Sequence, residues 1–325
     1  MRLRRKRTDG GGPRLTLFYA SDVHGSDLLW RKFLGAGKFY GAQASIMGGD
    51  LLGKAIVPIE HGEDGLYRLE FLGARRAVRE GRELDEVTDA IRMNGFYPWI
   101  GTPAEIAAVT SDEGGLDRLF DDVAREEIQR WADLAAQRQS PDDRFVMAGN
   151  DDPLFVDDLL AASDGLVFCD EQIVRVGDHE MLSSSYANPT PWNSPRELEE
   201  EALYERLKRL AERLDDPGRA IFNLHVPPYD SRLDTAVELD AEMRPRHHGG
   251  QPVEIPVGST AVRRLIEEYQ PLLALHGHIH ESRGEARLGR TLALNSGSEY
   301  NTGRLHGVVV EVGSDEVLSH QFVVG

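Results

Sequence analysis

The sequence predicts an α/β protein. Three observations carry that expectation: five short apolar runs rich in Leu, Ile, Val and Phe, amphipathic helix-like stretches between them, and a metal-binding type of residue just after each run. The first run, Leu15–Ala20, is followed by Asp22-Val23-His24, and residues 44–47 lead into Gly48-Gly49-Asp50. Residues 144–148 precede Gly149-Asn150-Asp151, residues 220–224 end at His225, and residues 272–275 precede Gly277-His278-Ile279-His280. Crevices beyond the carboxyl ends of strands are where α/β sheets bind ligands, so segments far apart in sequence can meet at one point.

Between the second and third runs lie about ninety residues, too many for a plain loop. Residues 54–143 are therefore expected to form an inserted, mainly helical cap subdomain over the strand ends. Within it, 55–59 and 67–72 read as a hairpin and 84–93 as a helix. Leu116, Leu119, Phe120, Val123, Ile128, Trp131 and Leu134 form one face of a longer helix, an apolar stripe best read as packing. Residues 196–214 carry Leu203, Leu207, Leu210 and Leu214 on one side and a solvated charge run on the other. Ser259 caps a helix whose apolar face is Val262, Leu265, Ile266 and Tyr269, and Pro271 stops it. Strands at 291–294 and 308–312 close the chain around the turn Asn295-Ser296-Gly297-Ser298, and no repeat or nucleotide-binding glycine loop occurs.

Composition bounds the function. With 40% hydrophobic and 28% charged residues, the 325-residue chain has the profile of a soluble globular protein. No apolar stretch approaches the ~20 residues of a membrane span, and the basic start, Arg2 to Arg7, runs into Gly10-Gly11-Gly12-Pro13 without a signal-peptide core. Residues 1–13 are read as a disordered basic tail and 14–325 as the folded domain. A single cysteine, Cys169, excludes an intramolecular disulfide and fits a reducing compartment, so the cytoplasm is the expected location. The net charge of −18 argues against nucleic acid as a partner.

The residues after the five runs suit particular metals. Asp22 and Asp50 offer carboxylates, Asn150 an amide oxygen, and His24, His225, His278 and His280 imidazole nitrogens. This mixed set fits Mn, Fe, Co, Ni or Zn better than Ca or Mg, and the lack of thiolates argues against a structural zinc site. Seven ligands overfill one ion but serve two if a carboxylate bridges and water or hydroxide completes the shells, leaving room for a phosphate. Glycines beside Asp50, Asn150 and His278 allow sharp turns close to an ion. Taken singly, Asp-x-His or Gly-Gly-Asp is most often a turn, and His225 ahead of Pro227-Pro228 a structural histidine. The pair His278 and His280 is stronger, because residues two apart on an extended segment point to one side. The remaining histidines, His61, His179, His247, His248, His276, His306 and His320, are read as solvent, loop or supporting residues.

Taken in order, D-x-H, G-G-D, G-N-x-D, H and G-H-x-H, spread from Leu15 to near the end of the chain, resemble the calcineurin-like metallophosphoesterase superfamily. The resemblance implies a four-layer sandwich of two mixed β-sheets flanked by helices. It also implies a metal-dependent phosphoester hydrolase with two divalent transition-metal ions, manganese favoured, whose bridging hydroxide is the nucleophile. Asp22, His24, Asp50 and His280 would hold one ion, and Asp50, Asn150, His225 and His278 the other, with Asp50 as the bridge. The expected partner is a small phosphoester and not a membrane. Diesters are favoured, since Leu51-Leu52-Gly53 follows Gly49-Asp50 where the family's protein phosphatases have Val-Asp-Arg-Gly. The same family also contains nucleases and phosphomonoesterases. One departure concerns the catalytic group Asp50, Asn150 and Asp151: the family usually has a histidine after the asparagine, given the role of protonating the leaving group, and this chain has Asp151. A carboxyl with a reference pKa of about 3.9, lowered further by nearby cations, is a poor acid near neutrality. That leaves metal-activated water as the proton source, or a metal-holding regulatory module with little catalysis as the alternative.

Overall fold

Alternation along the first strand shows how the layers arise. In Leu15–Ala20 (β1), Leu17 and Tyr19 turn to one side and Phe18 and Ala20 to the other, and all four are almost fully buried. The two sides enter separate cores. The computed structural model describes residues 14–325 except 139, 141 and 241; the basic segment 1–13 lies outside the described residues.

After β1 come α1 (Asp27–Tyr40) and β2 (Ala44–Gly48). The insertion follows with β3 (Ile56–His61), β4 (Leu66–Phe71), β5 (Ala74–Arg79), α2 (Arg82–Met93), β6 (Tyr97–Gly101), α3 (Pro103–Ser111) and α4 (Gly115–Gln137). The core resumes with β7 (Asp143–Met147), α5 (Val156–Ala161), β8 (Val167–Phe168), β9 (Ile173–Val176), β10 (His179–Ser184), α6 (Glu200–Ala211) and β11 (Ile221–Leu224). A two-stranded ribbon, β12 (Thr235–Val237), β13 (His247–His248), β14 (Gln251–Pro252) and β15 (Glu254–Pro256), leads to α7 (Thr260–Tyr269). The chain ends with β16 (Leu273–His276), β17 (Gly284–Leu288), β18 (Thr291–Asn295), β19 (His306–Val312) and β20 (Val317–Val324).

Two six-stranded sheets form the body, ordered β20-β19-β1-β2-β7-β8 and β17-β18-β16-β11-β10-β9. Both are mixed: β1, β2 and β7 run parallel, as do β10, β11, β16 and β18, while β19 and β17 are antiparallel to their neighbours. Between the sheets lies a core that includes Leu17, Ile46, Met147, Ile221, Leu275 and Val310. On the outer face of the first sheet, α1, α4 and α5 bury Trp30, Phe33, Trp131 and Leu160, and on that of the second, α6 and α7 bury Leu203, Leu207, Leu265 and Ile266. This is the expected sandwich: helix, sheet, sheet, helix.

Several segments differ from the sequence reading. The insertion holds a four-stranded sheet, β5-β4-β3-β6, where only a hairpin was expected, and it has its own small core of Val57, Ile59, Leu69 and Ile91. Helix α4 belongs instead to the main core. Trp131 stacks on Trp30 with ring centroids 4.8 Å apart and planes 6° from parallel, and its indole donates to Asp27 Oδ1 at 3.2 Å. The helix expected at 196–214 begins only at Glu200, and Arg196 is not part of a solvated face but 1% exposed. Ser259 caps α7 as expected, accepting from the Val262 N–H at 3.2 Å. Among the described residues no helix is long and apolar enough to cross a membrane.

Because Trp131 couples α4 to α1, Trp131→Ala is expected to destabilise the whole domain by about 3–5 kcal/mol, read as a lower midpoint in urea with an unchanged slope. A loss confined to the insertion, with the global midpoint unmoved, would contradict the placement of α4 in the main core.

Candidate metal centre

The seven sequence-predicted ligands all sit in loops leaving the carboxyl ends of β1, β2, β7, β11 and β16. Within the first sheet, the β1 and β2 loops are laced together by Asp22 N–H to Gly49 O (2.9 Å), His24 N–H to Asp50 O (3.0 Å) and Gly25 N–H to Leu51 O (2.7 Å). Bonds also cross to the second sheet: the His278 N–H donates to Asp22 Oδ1 at 3.0 Å, and Ser298 Oγ donates to Asp22 O at 2.7 Å. Both sheets thus deliver side chains to one place.

Ligand atoms of Asp22, His24, Asp50 and His280 lie within 4.8 Å of one another, and so do those of Asp50, His225 and His278. The two groups share Asp50. Its Oδ1 is 3.3 Å from His225 Nε2 and its Oδ2 is 3.7 Å from His24 Nε2, while Asp22 Oδ1 is 3.3 Å from His280 Nε2. Asn150 stands next to the residue whose N–H donates to Asp50 Oδ1; its own Nδ2 donates to Asp151 Oδ1 at 3.0 Å, leaving a buried Oδ1 without a hydrogen-bond partner. His225 is aimed at the same place: its Nδ1 donates to Gly48 O at 2.8 Å, which turns the buried Nε2 toward Asp50 Oδ1, 3.3 Å away. A buried acceptor with no donor is costly, and Asn150 Oδ1 is one at the edge of a cluster of carboxylates and imidazoles. The donor set fits divalent cations.

Backbone strain is present at four of these residues. Among the eleven described non-glycine residues with positive φ are Asp22 (φ 58°), His24 (φ 41°), Asp50 (φ 51°) and His278 (φ 65°), in the left-handed conformation that such residues rarely take. Two glycines make the close approach possible: a Cβ at Gly149 would strike the side chain and backbone of Asp50, and one at Gly49 would lie 2.7 Å from His225 Nδ1.

The charges are strongly interdependent. Burial, then the neighbouring His280, holds His24 well below the usual histidine range, and burial with His225 pushes His278 down to about 3. Both are neutral imidazoles with a free lone pair. His225 moves the opposite way, because the carboxylates of Asp50 and Asp22 overcome its burial and raise it to about 10. For Asp22, burial pushes upward but the hydrogen bond and charge of His280 outweigh it and hold the carboxyl below its ordinary value.

The supporting residues were less visible in the sequence. Asp152, the last letter of G-N-x-D, accepts from the N–H groups of Leu51 (3.0 Å), Leu52 (2.9 Å) and Gly149 (2.8 Å), joining the β2 and β7 loops. Arg196 donates from Nε to Asp152 O at 2.8 Å and from its terminal nitrogens to Pro153 O, Asp157 and Asp170. Nothing in its local sequence, Ser-Pro-Arg-Glu, marks that role. Asp151 lines the cavity beside the cluster; its Oδ1 accepts from Ser194 Oγ at 2.6 Å and from Asn150 Nδ2 at 3.0 Å, and its backbone N–H donates to Asp50 Oδ1 at 3.2 Å. Tyr300 flanks His24 and His280, with ring centroids 4.6 and 5.6 Å away, and Lys54 Nζ stands 5.3 Å over its ring.

A cavity of about 1210 Å³ opens beside the cluster, lined by Asp50, Asn150, Asp151, His278 and His280. Of the described residues of the 54–143 insertion, only Lys54 and Asp117 reach it; most of its wall comes from 188–195 and from the segments around β12 and β15.

No protein-family model matches the chain. A protein of Methanocaldococcus jannaschii, the uncharacterized protein MJ1162, is 30% identical over 129 residues, covering 39% of this chain and 51% of that one. The chain thus spans about half the length of the curated relative it matches. Among solved structures, the protein TT1561 of Thermus thermophilus aligns with a TM-score of 0.52 at 13% identity, covering 93% of this chain and all of that one. Another aligns with a TM-score of 0.54 at 14% identity, covering 96% and 99%. At such identities the likeness is one of fold. The chain shares the fold of these two structures.

Two outcomes follow from this geometry. Asp152→Ala strands three buried N–H donors and is expected to cost about 3 kcal/mol or more while weakening Mn binding, measured by urea unfolding and calorimetry. Because His225 is raised to about 10, it carries a proton at neutral pH that a cation must displace, so Mn binding should release protons and weaken as pH falls. Calorimetry in buffers of different ionisation enthalpy reads that release, and buffer-independent heats would contradict it.

Proposed function

We propose that the chain is a phosphoester hydrolase, acting on diesters in preference, that works with two divalent transition-metal ions, manganese favoured. The observation that carries this reading is the convergence of two candidate ligand groups on one shared carboxylate, Asp50, which lines a cavity. Asp22, His24, Asp50 and His280 would hold one ion, and Asp50, Asn150, His225 and His278 the other. The chemistry that such a pair supplies when bound is Lewis acidity toward phosphoryl oxygens and the activation of a water as nucleophile.

The chain's own residues have separate tasks. Asp152 and Arg196 fix the loops that aim Asp50 and Asn150, and hydrogen bonds between loops keep the four left-handed residues in place. Lys54 lines the cavity beside His280 and adds a positive charge where a phosphate would lie. In the reaction a water oxygen forms a bond to phosphorus, the bond to one ester oxygen breaks, and a phosphomonoester and an alcohol leave. Asp151 Oδ1 accepts from both Ser194 and Asn150, two donors that favour its ionised form over one able to give a proton to a departing oxygen. This supports a chemistry in which the leaving group departs with little help from a side chain.

Three results test the reading. Protein reconstituted with Mn is expected to bind about two ions per chain and to hydrolyse an activated aryl phosphodiester; Asp50→Ala should lose both activities, and two full-occupancy ions in that variant would overturn the shared role of Asp50. Across a series of diesters, rates should rise steeply with leaving-group acidity, aryl esters being cleaved far faster than alkyl ones. Asp151→Ala should keep most of the activity toward aryl esters, whereas a loss confined to poor leaving groups would assign Asp151 the acid role.

A further inference from the structure

The cavity beside the cluster is chemically two-ended. At its inner end are the ligands and Lys54, which is the only Lys or Arg among the described residues that line it. At its outer end Trp192 and Tyr229 are 66% and 38% exposed, and the apolar side chains of Leu239, Ile255 and Val257 line the same space. Exposed tryptophan is costly to hydrate, and both aromatic residues stand on fixed backbone. Glu197 accepts from Thr190 N–H at 2.9 Å and Ser194 N–H at 3.0 Å, and Thr190 Oγ accepts from the Trp192 N–H at 3.2 Å. Tyr229 is tied by its N–H to Ser259 O at 3.0 Å, and Asn188 Nδ2 donates to Val257 O at 3.3 Å, joining the 188–195 loop to the ribbon. The other charges in its lining are carboxylates: Asp117, Glu200 and Glu238, with Glu281 directly after His280.

We propose that this cavity binds a phosphodiester whose retained, non-leaving ester group is bulky and aromatic, with the phosphate toward the ligand cluster and Lys54 and that ring against Trp192 and Tyr229. The proposal rests on the phosphoester reading above and names the class of ester the site selects. A single phosphate finds positive charge at the inner end only. A second phosphate reaching outward would meet carboxylates, while an uncharged ring meets apolar and aromatic surface. At about 1210 Å³ the space exceeds what a methyl or ethyl ester fills.

The test uses two diesters with the same leaving group, methyl p-nitrophenyl phosphate and 1-naphthyl p-nitrophenyl phosphate, given to the Mn-loaded protein while p-nitrophenolate release is followed. Trp192→Ala should lower kcat/KM for the naphthyl ester roughly tenfold and leave the methyl ester unchanged, and Trp192→Phe should restore most of the loss. Equal effects on both esters, or none on either, would overturn the proposal. Calorimetric titration with 1-naphthyl phosphate and with inorganic phosphate separates it from the hydrolytic reading. If neither ester turns over, yet naphthyl phosphate binds more tightly than phosphate and loses that advantage in Trp192→Ala, the cavity proposal stands and the hydrolytic one falls. Absence of any naphthyl advantage would sink it.

Discussion

The carboxylate of Asp152 is the constraint on which the site depends. It faces no ligand atom, yet it receives three backbone N–H groups from two loops that leave neighbouring parallel strands, and so fixes Asp50 and Asn150 relative to each other. A carboxylate holding several backbone amides needs its own support. Arg196 supplies it, gripping the carbonyls of Asp152 and Pro153 while Asp157 and Asp170 balance the guanidinium charge in a place where Arg196 is 1% exposed. Removing one partner of such a network leaves an uncompensated buried charge, which costs far more than the pair contributes. The loops are therefore defined by charges that the solvent cannot screen.

That rigidity is needed because the backbone at the site is strained. Left-handed conformations at Asp22, His24, Asp50 and His278 cost of order 1–3 kcal/mol each, and the sum is large beside the net stability of a domain. The opposing stabilisation comes from the layers beneath. Strands β1, β2, β7, β11 and β16 bury nearly every side chain on both faces, so their ends are held in register whatever the loops above require. A turn that reverses sharply at each strand end points every ligand back toward the crevice between the sheets. Strain and convergence are two aspects of one geometry.

What was legible in the sequence reflects which forces act locally. The five ligand-bearing strands were found because burial on both faces gives continuous apolar runs, and α7 because Ser259 and a clean apolar stripe mark it. Strand β5 was missed: Ala74–Arg79 is an exposed edge strand, and its arginines read as a charge run with no strand period. The two-residue β8 pairs for too short a length to leave a pattern, and α4 looked like part of a cap because amphipathicity does not say which core a stripe enters. The ligands were legible as a set of motifs, whereas Lys54, Ser194, Trp192 and Arg196 act through contacts with distant segments that no spacing encodes.

The contrast between the centre and its surroundings shapes what can approach. With a net charge of −18 the protein repels polyanions at long range, and screening over about 8 Å at physiological salt confines that repulsion to the surface. Within the cavity the balance is set by a few residues: two carboxylates among the seven ligands, one lysine, and acids farther out. Two divalent cations, as proposed, would outweigh the two carboxylates Asp22 and Asp50 and make the centre locally positive inside an acidic frame. A compact anion entering this gradient gains at the inner end more than it loses at the rim, but a chain of phosphates spans both regions and is penalised for its length. In the proposed reading, the carboxylates Asp117 and Glu238 beside a single lysine favour a compact anion over an extended one, before any specific contact with the organic part of a substrate is made.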